Sequence, residues 1–194
     1  MKGILFIPDI SGFTKFVSSI DIDTGMHITQ SLLQVIVEHN TLQMEVSEIE
    51  GDAVLFYKFG SAIPLTELFH AFKKMQAAFN CRYAAFTKQY NLQVKLSLKI
   101  IVHYGDILRY NIHGFNKLYG QAIIEAHRLL KTGNLAEGYI LVSEDYTKAL
   151  QVNLSELFVP VGNYYTSPLY ATAGITKIAF QLMPDVKRHL VLES

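Results

Sequence analysis

The sequence predicts an α+β fold in which an antiparallel-rich sheet is backed by helices. Three observations predict it: short apolar runs alternate with helical stretches, tight turns join neighbouring runs, and the elements follow the order β-α-α-β-β-α-β-β-α-β. Strand hairpins separated by single helices are typical of such α+β sandwiches. Because half of the 194 residues are hydrophobic, the chain can build one core, and we expect a single domain over residues 1–194.

The first half of the chain predicts a central strand, two helices and a hairpin. The strand is the continuous apolar run 3–7, and the turn and cap residues 9–14 begin a helical stretch. A second helix is expected over residues 26–37, where apolar residues recur at helical spacing. Residues 42–49 alternate like a strand, and residues 53–59 return as its partner after a tight turn.

The second half begins with the longest predicted helix, residues 64–90. Its apolar residues form a stripe that indicates a core or a subunit interface: Leu65, Leu68, Phe69, Phe72, Met75, Phe79, Tyr83, Phe86 and Tyr90. Residues 94–104 then alternate clearly as a strand. The remaining predicted elements are strands at 107–112, 139–142 and 175–182, and helices at 120–131 and from Glu144. The rest of the C-terminal part, which is rich in Tyr, Pro and Thr, predicts irregular strands.

Charge and cysteine content exclude several classes of function. Lys plus Arg balance Asp plus Glu at 17 each, so the basic excess of a nucleic-acid-binding surface is missing. Cys81 is the only cysteine, which excludes a disulfide framework and favours a reduced, cytoplasmic location. Inside the aromatic helix we expect it to be a buried structural thiol. No apolar run has the length of a membrane span, and Pro8 and Asp9 interrupt the N-terminal run too early for a signal peptide.

Two acidic residues lie where strands end. Asp9 follows the first strand, and Asp52 lies at the tip of the hairpin. If the two strands are neighbours, their carboxylates converge, and such oxygen ligands suit Mg²⁺ or Mn²⁺. The turn 11–14 would offer backbone N–H groups to a phosphate, although an Asp before a helix is often only a cap and Gly-Asp often only a turn. The histidines do not have the spacing of a metal-ligand motif, so we expect no zinc site.

Five segments in order along the chain identify a fold family. They are Phe6-Ile-Pro-Asp-Ile-Ser-Gly-Phe-Thr14, Glu48-Ile-Glu-Gly-Asp-Ala53, Val102-His-Tyr-Gly-Asp106, Tyr119-Gly-Gln-Ala-Ile-Ile-Glu-Ala-His-Arg-Leu129 and Gly138-Tyr-Ile-Leu-Val-Ser143. The first resembles F-x-x-D-[IV]-x-G-F-T and the fourth resembles Y-G-x-x-V-N-x-A-x-R-L, both from the catalytic domain of class III adenylate and guanylate cyclases. The resemblance is strongest over residues 3–148. It implies the nucleotide cyclase fold, with a ferredoxin-like βαββαβ-type core.

The resemblance also implies a metal-dependent site. Asp9, Asp52 and the backbone of Ile10 match the positions that bind two Mg²⁺ or Mn²⁺ ions in that family. The phosphate-binding turn is matched by Ser11, Gly12, Phe13 and Thr14. With the ions bound, the ribose 3′-hydroxyl of ATP or GTP would lose its proton and attack the α-phosphate, giving a 3′,5′-cyclic nucleotide and pyrophosphate.

A second subunit is implied as well. Arg128 matches the arginine that stabilises charge on the α-phosphate in the transition state, a task that suits a planar guanidinium. In the family this arginine and the metal carboxylates come from different chains, so the resemblance implies a homodimer.

Two positions, Ile124 and Lys117, depart from the family pattern. The helix carries Ile124 where the family has an Asn that holds the ribose, and an apolar side chain makes no such hydrogen bond. The base-selecting positions are Glu48, which is the residue of guanylate cyclases, and Lys117, which is neither the usual acid nor Cys. A Glu48–Lys117 salt bridge would fill the base pocket.

The sequence leaves three functions open. The first is a working cyclase that acts on ATP or GTP. The second is a degenerate cyclase-fold module that binds a nucleotide or a protein partner without turnover. The third is a structural or interaction protein in which the metal site is a relic.

Overall fold

A six-stranded, mostly antiparallel sheet with helices on both faces organises the described part of the chain. The computed structural model describes residues 1–131, 139–151 and 177–181, with only the backbone for 139 and 177–181. The strands are β1 Lys2–Ser11, β2 Glu45–Glu50, β3 Ala53–Phe59, β4 Ser97–Asp106, β5 Leu108–Ile112, β6 Phe115–Tyr119, β7 Tyr139–Ser143 and β8 Lys177–Gln181. The helices are α1 Phe13–Val17, α2 Ile22–Glu38, α3 Leu65–Tyr90, α4 Gln121–Leu130 and α5 Glu144–Leu150.

The strand order in the large sheet is β2-β3-β1-β4-β7-β8, and β5 and β6 form a separate hairpin. Strand β1 is antiparallel to both β3 and β4, whereas β4 and β7 run parallel. The predicted α+β class with an antiparallel-rich sheet is therefore confirmed.

The alternation of β1 divides the core into two layers. Ile4 and Phe6 face α2 and α3, while Leu5 and Ile7 face α4 on the other side of the sheet. Because side chains alternate along a strand, Asp9 continues the row of Leu5 and Ile7 and lies on the α4 face. This placement sets which helix borders the carboxylate.

The long helix α3 contains the predicted stripe, and its members from Leu65 to Phe86 are buried in the larger core. The expectation of a buried thiol in this helix is wrong, because Cys81 is exposed. Phe79 and Tyr83 face the core, and a residue two positions from Phe79 lies about 200° away around a helix of 3.6 residues per turn.

Other differences from the predicted elements have local causes. Strand β2 begins at Glu45 rather than at residue 42, because the Asn40 side chain bonds both the N–H and the C=O of Met44 and Gln43 has a positive φ of 53°. Strand β6 was not predicted, since its exposed residues lack alternation. The irregular strands expected in the C-terminal part lie outside the described residues, except that β8 falls within the predicted 175–182.

Helix α5 is anchored by one buried hydroxyl. Tyr146 is fully buried, and its O–H donates to the carbonyl of Ile63 at 2.8 Å. Burial raises the pKa of Tyr146, so the phenol remains a neutral donor at all ordinary pH values.

Replacing this hydroxyl tests the anchor. Tyr146→Phe is expected to lower the free energy of unfolding by about 1–2 kcal/mol, because the carbonyl of Ile63 loses its partner in the interior. Urea unfolding followed by circular dichroism measures the change. Tyr119→Phe is the matched control, since Tyr119 is exposed and its substitution should change stability by less than about 0.5 kcal/mol. Equal effects of the two variants would contradict the assignment.

Candidate functional site

A cleft of about 250 Å³ lies between the ends of β1, β2 and β3 and the C-terminal end of α4. Four carboxylates line it together with one histidine and one lysine. The lining residues are Ile7, Asp9, Glu48, Glu50, Asp52, Ala53, Leu55, His127, Leu130 and Lys131. The two acidic residues singled out in the sequence, Asp9 and Asp52, therefore border the same cleft.

Sheet pairing brings these two residues together. Asp9 is paired with Ala53 in the register of β1 and β3, so Asp52, the turn residue that directly precedes β3, lies next to the partner of Asp9. The Ile10 N–H donates to the carbonyl of Asp52 at 3.1 Å and holds the hairpin tip against β1. The predicted neighbourhood of the two strands is thus present in the fold.

Lys99 on β4 supplies a positive charge beside this pair. Its Nζ lies 3.1 Å from Oδ1 of Asp9, and both side chains are largely buried. Lys99 also donates to the carbonyl of Leu130 at 3.4 Å, which links it to the end of α4. The ammonium shows that a cation fits against the Asp9 carboxylate.

The lysine does not fully compensate the buried carboxylates. Burial raises the pKa of Asp9, and the nearby Asp52 raises it further, while Lys99 lowers it. Burial also raises the pKa of Asp52, against the opposing influence of its own backbone N–H and of Lys99. The cleft therefore has negative charge in a desolvated place, where additional positive charge is favoured.

A β-bulge in β2 directs further acidic groups to the cleft. The pairing of β2 with β3 shifts between Val46 and Glu48, so Glu48 lies opposite Leu55 and Glu50 opposite Ala53. Leu55 and Ala53 belong to the α4 side of the sheet. Without the extra residue, Glu48 would be directed to the other face.

Glu48 is already engaged by two basic side chains. Lys117 of β6 contacts its Oε2 at 2.6 Å, and the Nε2 of His127 lies 3.9 Å from its Oε1. The salt bridge that the sequence suggested between Glu48 and Lys117 is present. It crosses from the β5–β6 hairpin to the large sheet at the mouth of the cleft.

The turn over residues 11–14 has the expected tight geometry. Gly12 has a φ of +89°, and a Cβ there would lie 2.7 Å from the carbonyl oxygen of Lys95. It begins α1 without a side-chain cap. Ser11 and Gly12 therefore connect β1 directly to the first turn, which contains Phe13 and Thr14.

The outer face of α4 carries the remaining predicted site residues. Ile124 is 49% exposed, and Arg128, one turn later, is also exposed. The same helix directs His127 and Leu130 toward the cleft, so Arg128 faces away from Asp9 and Asp52 of its own chain.

A second cluster of ionisable residues lies beside the middle of α4. His103 of β4, Glu125 of α4 and Asp145 of α5 each place one nitrogen or oxygen atom within 4.8 Å of the others. His103 is 1% exposed, and its burial lowers the pKa of the imidazole against the influence of Glu125. No metal-ligand motif in the sequence indicates this cluster, because its members are far apart along the chain.

A larger cavity of about 650 Å³ runs along α1 and α2. Its lining is mostly apolar, and the carboxylate of Asp21 in it caps α2 by accepting from the Thr24 N–H. It has no group of carboxylates comparable with that of the smaller cleft, so the smaller cleft is the better candidate site.

Sequence reasoning found Asp9, Asp52 and Glu48 but missed Lys99, His127 and Lys131. Lys99 alternates with apolar neighbours on β4, and a polar residue on the core face of a strand was the available signal. His127 and Lys131 lie near the end of a helix, where basic residues are common for electrostatic reasons.

Comparison with known proteins places the chain in a family. A model of the family described as "Protein of unknown function (DUF2652)" matches residues 29–139, more than half of the chain. The chain belongs to the DUF2652 family. No curated protein sequence matches it.

Solved structures with the same fold are class III cyclase domains. The adenylyl cyclase CyaB from Pseudomonas aeruginosa has a TM-score of 0.66 at 15% identity, covering 77% of this chain and 80% of the other. The non-canonical dimeric guanylyl cyclase domain of the RhoGC fusion protein from Blastocladiella emersonii has a TM-score of 0.60 at 15% identity, and the match covers 92% of this chain and 94% of the other. At this identity the likeness shows the fold, which is that of class III cyclase catalytic domains.

A further similar structure is described as a class III adenylyl cyclase-like ATP-binding protein from Pseudomonas aeruginosa. Its TM-score is 0.63 at 16% identity, and the match covers 77% of the DUF2652 chain and 34% of the other.

None of the helices in the described residues combines the length and apolar character that a bilayer-spanning segment needs.

The raised pKa of Asp52 gives a pH-dependent prediction for stability. Asp52→Asn is expected to stabilise the metal-free protein at neutral pH, because the fold opposes ionisation of this carboxyl. Below the ordinary pKa of 3.8 the carboxyl is neutral in both states and the gain is absent. The gain in stability grows as pH rises from 3.8 to the raised pKa that Asp52 has in the folded state, and it is constant at higher pH. Thermal unfolding between about pH 3 and pH 7 in the presence of a chelator measures it.

The control for the Asp52→Asn measurements is Asp106→Asn, because the pKa of Asp106 is shifted in the opposite direction. Asp106 pairs with Lys2 at 2.9 Å, and this contact lowers the pKa of Asp106. Asp106→Asn should therefore give no gain at neutral pH. A gain in Asp52→Asn that is equal at every pH would contradict the ionisation argument.

Proposed function

We propose that this protein binds a nucleoside triphosphate with divalent cations at the Asp9–Asp52 cleft and, as a homodimer, converts ATP or GTP to a 3′,5′-cyclic nucleotide and pyrophosphate. The observation that carries the proposal is the pair formed by the buried Asp9 of β1 and the half-buried Asp52, which directly precedes the neighbouring strand β3. The class III cyclase fold and the turn at residues 11–14 support the same assignment.

The donor set fits Mg²⁺ or Mn²⁺. Asp9 and Asp52 offer hard oxygen ligands in a place where their negative charge is under-compensated, and the backbone carbonyl of Ile10, the residue after Asp9, would add a further oxygen. Two such ions would lower the pKa of the ribose 3′-hydroxyl and neutralise charge on the triphosphate.

The chain's own residues would position the substrate for this reaction. Backbone groups of the turn 11–14 hold the phosphates, and Arg128 from a second copy stabilises negative charge on the α-phosphate. The 3′-oxygen forms a bond to the α-phosphorus, the bond to the bridging oxygen breaks, and pyrophosphate leaves. Glu48 would contact the base, which favours GTP over ATP.

The dimer is supported by the surface of the chain. Arg128 faces away from the cleft of its own chain, so the complete site needs a second copy. Exposed large apolar side chains lie on β5, β6 and α4, around this arginine's helix and the salt bridge: Leu108, Tyr110, Ile112, Phe115, Tyr119 and Ile124. Such a concentration is typical of an interaction surface.

A second candidate is nucleotide binding without turnover. The 2.6 Å contact between Lys117 and Glu48 occupies the base-selecting positions, and Ile124 presents no polar group to a ribose. Losing one positioning contact costs on the order of 100-fold in rate. Under this alternative the metal carboxylates remain and the catalytic half of the site is lost.

The first test removes one carboxylate charge while keeping its shape. Asp9→Asn is expected to abolish pyrophosphate release from ATP or GTP with Mn²⁺, and to weaken Mn²⁺-dependent nucleotide binding by at least about tenfold, or about 1.4 kcal/mol. A coupled pyrophosphate assay and calorimetry measure the two effects. Asp106→Asn, which changes an exposed carboxylate away from the cleft, should leave both unchanged.

The outcomes separate the two candidates. Turnover that depends on Asp9 supports the cyclase. Binding that depends on Asp9 without turnover supports the second candidate. No Mn²⁺-dependent binding of ATP or GTP by the unaltered protein would contradict both.

The second test asks whether the site spans two chains. Asp9→Asn and Arg128→Ala should each be inactive alone, but co-expressed chains should regain about a quarter of normal activity, because half of the random dimers are mixed and each has one intact site. Mixed dimers purified with two different affinity tags should have about half of normal activity, because one of their two sites is intact, and the pyrophosphate assay measures this. Failure to regain activity, in mixed dimers shown to form, would contradict a shared site.

A further inference from the structure

We propose that His103, Glu125 and Asp145 form a second metal site, which binds a divalent transition metal of the Zn²⁺ type and is separate from the Asp9–Asp52 cleft. It would hold the metal through one imidazole nitrogen and two carboxylate oxygens.

The elements that meet here explain why the three side chains converge. Val142 of β7 pairs with Val102 of β4 in parallel register, so the chain leaves β7 beside His103 and begins α5, which carries Asp145 in its first turn. Helix α4 crosses the same face of β4 and brings Glu125. Close approach of α4 depends on Gly105, where a Cβ would lie 2.7 Å from the Cβ of Ala122.

The distances suit a first-row metal. The Nε2 of His103 lies 3.1 Å from Oε2 of Glu125, and the three ligand atoms all lie within 4.8 Å of one another. Ligands at about 2.0–2.2 Å from one tetrahedral ion are about 3.3–3.6 Å apart. Binding therefore requires the more distant ligand atoms to approach by up to about 1 Å, which a rotation of the carboxylate side chains supplies.

The buried imidazole is the second, independent observation. His103 is 99% buried, and neither of its ring nitrogens makes a hydrogen bond within the described residues. The contact with Glu125 is short but lacks the direction of a hydrogen bond. Buried polar groups without a well-directed hydrogen bond are rare and destabilising, and Nε2 has only the Glu125 carboxylate at 3.1 Å beside it, so the imidazole lacks a well-directed ligand. An ion between the three residues provides one.

The chemistry of the donors selects the class of metal. Imidazole suits Zn²⁺ and its transition-metal neighbours, whereas Mg²⁺ prefers oxygen alone. Three protein ligands leave one tetrahedral position for water. The Nε2 of Gln121 lies 3.3 Å from Oε1 of Glu125, so the carboxylate is oriented from outside with Oε2 toward the histidine.

The site is distinct from the cleft. His103 and Lys99 are four residues apart on β4, which corresponds to roughly 13 Å along a strand. The proposal thus does not depend on nucleotide binding or turnover.

The test uses the full-length protein with Asp9→Asn and Asp52→Asn combined, so that only the second site is measured. Zn²⁺ titration against a chromophoric chelator should give one ion per chain. Glu125→Gln and Asp145→Asn, added singly, should each weaken Zn²⁺ binding by about 100-fold or more, since even outer-shell changes cost 10–100-fold. These two positions are only half-buried, so the variants keep the fold, which circular dichroism verifies.

A matched control lies next to one ligand. Glu144→Gln changes the neighbouring carboxylate, which pairs with Lys148 at 3.0 Å, and should leave Zn²⁺ affinity unchanged. Replacement of Zn²⁺ by Co²⁺ should produce the visible absorption of a tetrahedral nitrogen and oxygen site, which His103→Asn removes. Absence of stoichiometric Zn²⁺ binding would overturn the proposal. Equal weakening by Glu144→Gln and Asp145→Asn would overturn it as well.

Discussion

Strand β1 is the element on which the rest of the structure depends. It is hydrogen-bonded on both sides, to β3 and to β4, and its two faces belong to the two different core layers. A strand held in this way has no freedom to slip by one residue, because a slip would exchange every apolar side chain between the layers. The position of Asp9 is therefore fixed by the packing of residues 4–7 rather than by contacts of the carboxylate itself.

This rigidity has an electrostatic consequence. Asp9 is only 8% exposed, so the fold keeps a carboxylate where water cannot solvate it well. Lys99 partly compensates it from the neighbouring strand, and Asp52 adds a second negative charge. Groups whose burial destabilises the fold are common at functional sites, since a ligand that compensates their charge binds with additional favourable free energy. The cluster around His103 follows the same rule, with an imidazole in place of a carboxylate.

Much of the fold and of the acidic half of the site could be predicted from the sequence, because both follow from local patterns. The alternation in β3 and β4, the stripe of α3 and the Asp residues after apolar runs are all visible within short windows. The rest depends on contacts between distant segments. Lys99 reaches Asp9 only through the register of β1 with β4, and the His103 cluster needs three elements to meet. Tertiary packing also determines the β-bulge that directs Glu48 toward the cleft. It likewise determines which side of α3 is exposed, and Cys81 lies on that side.

The contact between Gly105 and Ala122 has a consequence for variation within the family. The two positions share one small space, so their side-chain volumes should vary inversely among family members, because a larger residue at one position requires a smaller one at the other or a more distant helix. Helix α4 borders the cleft through His127 and Leu130, and a family member with a bulky pair would therefore have a wider cleft. The volumes at these two positions offer a way to sort sequences by the size of ligand that their clefts admit.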